Sequence, residues 1–93
     1  MQSTSRALWE EVKFDDKNVT SIDWKTYPIV DMTEAPETID IILIDHPELP
    51  PTGAGESASR PTAGALANAI FDATGIRLRR APFTPERLKA GLA

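Results

Sequence analysis

Residues 45–60 divide this chain into two parts of different character. The stretch holds three prolines and two glycines: Pro47, Pro50, Pro51, Gly53 and Gly55. Proline fixes φ and has no backbone N–H, and glycine carries no side chain, so this composition predicts a loop rather than a helix or strand. A loop of about this length within a small domain is often functional.

The part before the loop has the patterns of strands. In residues 7–14, apolar and polar side chains alternate with a period of two, which predicts a half-buried strand. Residues 15–18 predict a polar turn and residues 19–24 a returning strand, so the pair reads as a hairpin. Residues 39–44 form a short, β-branched apolar run, which predicts a central strand.

The part after the loop has the patterns of helices. In residues 62–74 an apolar stripe recurs at helical spacing. Its members are Ala63, Leu66, Ala67, Ile70 and Phe71. Gly75 follows where a left-handed cap belongs, and residues 76–80 could form a short basic strand. Thr84 and Pro85 suit the N-cap and first position of a final helix that ends near Ala90.

These elements predict one α+β domain over residues 1–93. A small antiparallel sheet, made of the hairpin and the central strand, would be packed by the main helix, with a short C-terminal helix beside it. A chain of 93 residues buries only about 60–65% of its unfolded surface, so the domain is expected to be marginal alone.

Composition excludes several classes of protein. The chain has no cysteine and one histidine, so it cannot form a disulfide scaffold, a thiolate zinc site or a cysteine-ligated cluster. No apolar run is long enough to span a membrane, and the first residues have no apolar signal region, so we expect a soluble, cytoplasmic protein. His46 is expected at the surface.

Charge is distributed unevenly along the chain. Residues 1–59 carry four basic and twelve acidic side chains, whereas residues 60–93 carry six basic and two acidic ones. Two solvated faces are the simpler explanation, and a partner or anionic ligand near Arg77, Arg79 and Arg80 is the alternative. Nucleic acid is disfavoured because the whole chain is acidic and its aromatic residues do not interleave with the basic cluster.

The segment that suggests chemistry is Gly53-x-Gly55-Glu56. Glycines allow a backbone to approach a ligand closely, and the segment precedes a helix N-terminus, which favours an anion. By itself this is a weak motif, because a glutamate in a proline–glycine loop is usually only solvated.

The longer context resembles a known family. The Gly-x-Gly-Glu loop is followed by Pro61 and then by the letters ALANAIFDATG at residues 65–75, ahead of a basic segment. This order is similar to the C-terminal end of the large subunit of the molybdenum hydroxylases, the family of xanthine dehydrogenase, aldehyde oxidoreductase, isoquinoline oxidoreductase and nicotinate dehydrogenase. Earlier segments, among them residues 7–12 and 27–29, fit the same family at similar spacing.

The resemblance implies a role for each residue of the loop. Glu56 would be the catalytic base beside a molybdopterin cofactor, and Gly53 and Gly55 would lie against that cofactor. No residue of this chain is expected to ligate the metal. The cofactor would be held mainly by parts outside this chain, namely the remainder of the molybdopterin-binding subunit, with an iron–sulfur subunit or domain as a further partner. The chain alone would be inactive.

Two residues depart from the family pattern. Ser57 stands where the family commonly has proline, and Asp31 stands where it often has a basic residue. The expected function is therefore part of an oxidoreductase that hydroxylates an aldehyde or N-heterocycle. The alternative is a non-catalytic interaction module or excised fragment that retains the fold.

Overall fold

A computed structural model of the chain describes residues 1–53 and 55–92. The elements are helix α1 (Gln2–Leu8), a 3-10 helix (Glu56–Ser59), helix α2 (Thr62–Thr74) and helix α3 (Pro85–Ala90). These described ranges hold no β-strand, and their single β-type pairing is an isolated bridge between Phe14 and Val19. None of their helices is long and apolar enough to cross a membrane.

The predicted α+β fold is therefore wrong. Residues 7–14 do not form a strand, because Ala7 and Leu8 belong to α1. Residues 19–24, 39–44 and 76–80 are also irregular. A period-two pattern specifies a strand only when another strand receives its hydrogen bonds, and a lone hairpin is marginal in water. The turn at residues 15–18 is present: the Asp15 carboxylate accepts the backbone N–H groups of Lys17 and Asn18, each at 2.8 Å.

Both helices expected after the loop are confirmed: α2 spans the predicted residues 62–74, and α3 starts after Thr84 and ends at Ala90, near its predicted end. Helix α2 ends at Gly75, which adopts φ 74° and donates its N–H to the Phe71 carbonyl at 2.7 Å. Helix α3 begins after Thr84, whose hydroxyl accepts the Arg87 N–H at 3.4 Å. Both boundaries depend on residues inside the element or next to it, so local sequence is sufficient to set them.

Helix α1 is the element around which the other segments gather. It packs against α2, and its Ser5 and Ala7 are buried. The Ser5 hydroxyl accepts the Val30 N–H at 3.0 Å, and the Ala7 carbonyl accepts the Phe83 N–H at 2.7 Å. Small side chains at these two positions let three distant segments approach one helix.

An ion pair ties the C-terminal helix to the segment after α1. The Arg87 guanidinium donates to the Glu11 carboxylate at 2.7 Å and to the Pro82 carbonyl at 2.8 Å. Arg80 adds a longer contact to the same carboxylate, 3.5 Å from it. The hydrogen bond from Arg87 holds the pKa of Glu11 below its ordinary value.

The chain exposes far more surface than a folded monomer of its size. Its accessible surface is 8087 Å², against about 5,300 Å² expected for a monomer of this mass. Its radius of gyration is 16.7 Å, against about 12 Å for a compact domain of this length. Among the described residues, Ala7 and Pro82 are the two apolar residues that are buried. The structure is a helical scaffold with a large apolar surface left uncovered.

Gly75→Ala and Gly64→Ala form a matched pair that tests the α2 boundary. Gly75→Ala forces a left-handed φ on a residue with a Cβ, at a cost of about 1–2 kcal/mol. Gly64→Ala lies inside the helix with open space around the added Cβ, so it favours the helix by about 1 kcal/mol. Far-UV circular dichroism should show less helix for the first variant and more for the second. Equal effects of the two substitutions would contradict the assigned cap.

Arg87→Met is expected to raise the pKa of Glu11 towards its ordinary value. Because folding lowers this pKa, the ion pair favours the folded state at neutral pH, and its contribution disappears as pH falls through the folded-state value. A carboxyl titration of Glu11 by NMR measures the shift directly. Arg80→Met serves as the control, and its effect should be smaller because that contact is longer and its side chain is largely exposed. A larger shift with Arg80→Met would show that the distances assign the wrong partner.

Candidate functional site

The proline–glycine loop approaches the candidate site through a turn and two glycines of different geometry. His46 begins the turn, and its carbonyl accepts the Leu49 N–H at 3.0 Å. Gly53 has φ 81°, a left-handed conformation that favours glycine, whereas Gly55 has φ −56°. The sequence motif suggests the same role for both glycines, but the structure assigns them different roles. Gly53 bends the chain, and Gly55 leads into the 3-10 helix.

Glu56 is the first residue of that 3-10 helix and is exposed. The turn is braced from within, because the Ser59 hydroxyl donates to the Glu56 carbonyl at 2.6 Å and the Thr62 hydroxyl donates to the Ala58 carbonyl at 3.1 Å. In the parts of the chain that the structure describes, no side chain forms an ion pair or hydrogen bond with the Glu56 carboxylate. The backbone of Glu56 is thus fixed while its carboxylate is available to a ligand.

A cavity of about 380 Å³ lies directly beside Gly55. It is a depression open to solvent, bordered by the start of α1, the 3-10 helix and the start of α2. The residues that supply polar groups or backbone to its wall are Gln2, Ser3, Thr4, Gly55, Ser59 and Thr62. Hydroxyl groups and one amide can each donate and accept hydrogen bonds, so the wall suits a neutral or anionic polar ligand.

The wall next to Gly55 is open to an approaching molecule. A Cβ added at Gly55 would meet no atom within 4 Å, and the same is true at Gly53. Packing within the described residues would therefore leave room for a larger side chain at either position. At Gly55 the φ of −56° is one that any residue adopts, whereas the ψ of −97° lies outside the helical region, and an added Cβ would meet only open space.

A second crevice adjoins the first beside α1. It has a volume of about 270 Å³, and its lining includes Ser3, Arg6, Ala7, Ser59 and Ala63. Ser3 and Ser59 border both spaces. Arg6 thus brings a positive charge near the candidate site, on the same helix that supplies Gln2.

The basic residues singled out from the sequence partly pair within the chain. Arg77 lies over the Phe71 ring, 4.0 Å from its centroid, and donates to the Asn68 side chain at 2.7 Å. Arg80 contacts Glu11. His46 is exposed and its Nδ1 lies 2.8 Å from a Glu48 carboxylate oxygen, so the surface position predicted for it is confirmed. Arg77, Arg80 and His46 do not line the cavity beside Gly55.

Sequence reasoning missed the wall that α1 contributes. Gln2, Ser3 and Thr4 are separated from Gly55 by about fifty positions and belong to a segment whose following residues suggested a strand. Serine and threonine are weak helix formers, so Ser3, Thr4 and Ser5 carried little helical signal. The available signal was the concentration of hydroxyl-bearing residues at one end of an amphipathic segment.

Three relatives show what proteins this chain is similar to. It is 52% identical over 92 residues to a nicotinate dehydrogenase subunit of Pseudomonas putida, a match that covers 99% of this chain and 8% of that protein. It is 33% identical over 98 residues to the membrane-bound aldehyde dehydrogenase [pyrroloquinoline-quinone] of Gluconacetobacter polyoxogenes, covering 98% of the chain and 12% of the relative.

The third relative is the aldehyde oxidoreductase of Megalodesulfovibrio gigas, 30% identical over 95 residues, covering 98% of the chain and 10% of that protein. No family model and no solved structure matches the chain. All three relatives bear the names of oxidoreductases, and two of the names are among those that the sequence resemblance implies. The chain spans about a tenth of the length of these relatives.

Gly53→Ala and Gly55→Ala should separate the two glycine roles. Alanine at Gly53 must adopt a left-handed φ, which costs about 1–2 kcal/mol and should displace the loop. Alanine at Gly55 fits the observed φ and meets no neighbouring atom. Backbone amide shifts of Glu56 and Ser57, measured by NMR, should move strongly in the first variant and little in the second. The reverse order would contradict the assigned loop geometry.

Proposed function

We propose that this chain is a C-terminal portion of a molybdopterin-dependent oxidoreductase that hydroxylates an aldehyde or an N-heterocycle. The observation that carries the proposal is the Gly53-x-Gly55-Glu56 motif, in which Gly55 borders a polar depression and Glu56, which is exposed and does not line that depression, follows with an available carboxylate. The names of the relatives support the reaction class, since they are dehydrogenases and oxidoreductases of nicotinate or aldehydes.

The surface of the chain supports a role as one part of a longer polypeptide. Its accessible area exceeds the monomer expectation by roughly 2,800 Å². Large apolar surfaces are characteristic of permanent interfaces rather than of independent monomers. We therefore propose that the chain packs against the remainder of a molybdopterin-binding subunit, that an iron–sulfur subunit or domain accepts the electrons, and that the chain alone does not catalyse turnover.

The residues beside Gly55 fit a molybdopterin group. Its polar ring and anionic tail need hydrogen-bond donors, and the wall offers the Gln2 amide and the hydroxyls of Ser3 and Thr4, whereas the Ser59 and Thr62 hydroxyls already donate within the turn and can only accept. Gly55 leaves the room that such a group needs against the backbone. When bound, the cofactor would supply the two-electron oxidation of the substrate, taking up the hydrogen and electron pair of the C–H bond that breaks as the new C–O bond forms.

One relative is named for pyrroloquinoline quinone, so the quinone is the competing cofactor. It too is polar and anionic, and the same wall could bind it. The elemental content of the assembled enzyme distinguishes the two: molybdenum in proportion to active sites supports the proposal, and bound quinone without molybdenum contradicts it.

In the proposed mechanism Glu56 acts as the general base. The carboxylate accepts a proton from the water-derived oxygen as that oxygen bonds to an electron-poor carbon of the substrate. The 3-10 helix fixes the backbone from which the carboxylate projects, and the absence of a competing hydrogen bond in the described ranges keeps both its oxygens available. Gly53 sets the direction of the loop, and Gly55 keeps side-chain bulk away from the reacting groups.

Glu56→Gln should abolish most turnover while leaving the cofactor in place. Positioned general bases contribute roughly 10²–10⁴-fold to rate, so kcat of the assembled enzyme should fall by that order. Glutamine has the same shape, and the turn is held by backbone and hydroxyl groups, so molybdenum content should be unchanged.

Glu48→Gln is the matched control, since Glu48 is an exposed glutamate in the same loop that contacts only His46 among the described side chains. It should retain wild-type turnover. Retention of turnover by Glu56→Gln would refute the role of Glu56. Assembly without any turnover in the wild type would favour the alternative, a non-catalytic interaction module or excised fragment.

A further inference from the structure

The 3-10 helix is partly covered at one end and open at the other. Residues 56–58 are exposed, whereas Ser59 is half-buried. Ser59 borders both the depression beside Gly55 and the crevice beside Arg6, and Ser3 of α1 borders the same two spaces. The last residue of the 3-10 helix therefore lies at the helical scaffold, while the candidate base at its first position is exposed.

The Ser59 hydroxyl connects these two ends. It donates to the Glu56 carbonyl at 2.6 Å, at the short end of the range for a hydrogen bond between two oxygen atoms. Because its hydrogen is used in this bond, the hydroxyl can only accept from a molecule in the depression. The donor of Ser59 therefore serves the backbone of Glu56 and not a ligand.

Other side chains give Glu56 little support. In the described ranges its carboxylate has no ion pair or hydrogen bond. The second hydroxyl that braces the turn, that of Thr62, donates to the Ala58 carbonyl and not to Glu56. The preceding residue is Gly55, where an added Cβ would meet no atom within 4 Å. Of the side-chain hydrogen bonds that the structure describes, the one from Ser59 is thus the one that links Glu56 to the scaffold.

We infer that Ser59 is a positioning residue for the general base of the oxidoreductase, an inference that rests on the proposed function. Its hydroxyl holds the backbone from which the Glu56 carboxylate projects, so it limits where that carboxylate lies when the proton is transferred. A general base has to be within hydrogen-bond reach of the proton that it accepts, and a misplacement of about 1 Å costs about 10²-fold in rate. Ser59 itself accepts no proton in this reaction and acts only through Glu56.

Ser59→Ala and Ser57→Ala in the assembled enzyme form the matched pair that tests this inference. Each removes one hydroxyl from the same 3-10 helix, but among the described residues only the Ser59 hydroxyl donates to the Glu56 carbonyl. Ser59→Ala should lower kcat by about tenfold to 10²-fold, with KM and molybdenum content unchanged, because the base is displaced and the binding groups are not. Ser57→Ala should retain the wild-type kcat, and Ser59→Thr, which keeps a hydroxyl, should restore most of the loss.

A double variant separates positioning from a general structural role. In the Glu56→Gln background, Ser59→Ala should have no further effect on kcat, because a residue that acts only through the carboxylate has nothing left to position. Amide hydrogen exchange of residues 56–62 gives a readout that does not depend on turnover. It should be about fivefold to tenfold faster in Ser59→Ala, the factor that corresponds to one lost hydrogen bond, and unchanged in Ser57→Ala.

The other outcomes also decide the question. Equal losses of kcat in Ser59→Ala and Ser57→Ala, loss of molybdenum from Ser59→Ala, or a further loss in the Glu56→Gln background would each overturn the inference. A Ser59→Ala chain that fails to assemble would assign the hydroxyl to packing and would overturn it too. The proposed function is scored separately. Wild-type turnover in Glu56→Gln refutes the role of Glu56, whereas loss of turnover there with full activity in Ser59→Ala refutes only the role of Ser59.

Discussion

The structure depends on the close approach that Ser5 and Ala7 permit on helix α1. The Ser5 hydroxyl holds Val30, the Ala7 carbonyl holds Phe83, and the same helix packs against α2. Larger side chains at these two positions would separate the segments and remove those hydrogen bonds. Since the first turn of α1 also forms one wall of the cavity beside Gly55, the packing that organises the scaffold also shapes the candidate site.

This arrangement is specific but has almost no hydrophobic core. Hydrogen bonds and one ion pair define where the segments meet. Each contributes only modestly to stability, because the same groups form hydrogen bonds with water in the unfolded chain. Burial of apolar area is the dominant favourable term in folding, and here that area is exposed. The chain therefore carries the information for its local geometry, whereas burial of apolar area contributes little to its stability within the described residues.

The outcome of the sequence predictions follows the same division between local and distant information. Helices α2 and α3 could be placed to the residue, because Gly75, Thr84 and Pro85 act within one turn of the boundaries that they set. The strands could not be predicted correctly. The apolar pattern in residues 39–44 indicates that these side chains favour burial, but it does not indicate which part of the protein would cover them. Helix α1 was missed for a related reason. Its polar sequence has little helical preference of its own, and contacts with distant segments of the chain stabilise the helix.

The candidate site shows how far a motif alone can be taken. The motif directed attention to Gly53, Gly55 and Glu56, but it gave both glycines one purpose, and only backbone angles separate the bend at Gly53 from the open wall at Gly55. The polar groups opposite that wall lie about fifty positions earlier, on α1, so no local pattern could associate them with it. A catalytic base needs both a fixed origin and an enclosure. Glu56 has the first from its own 3-10 turn, whereas the described residues do not supply the second, since Glu56 is exposed and does not line the depression beside Gly55.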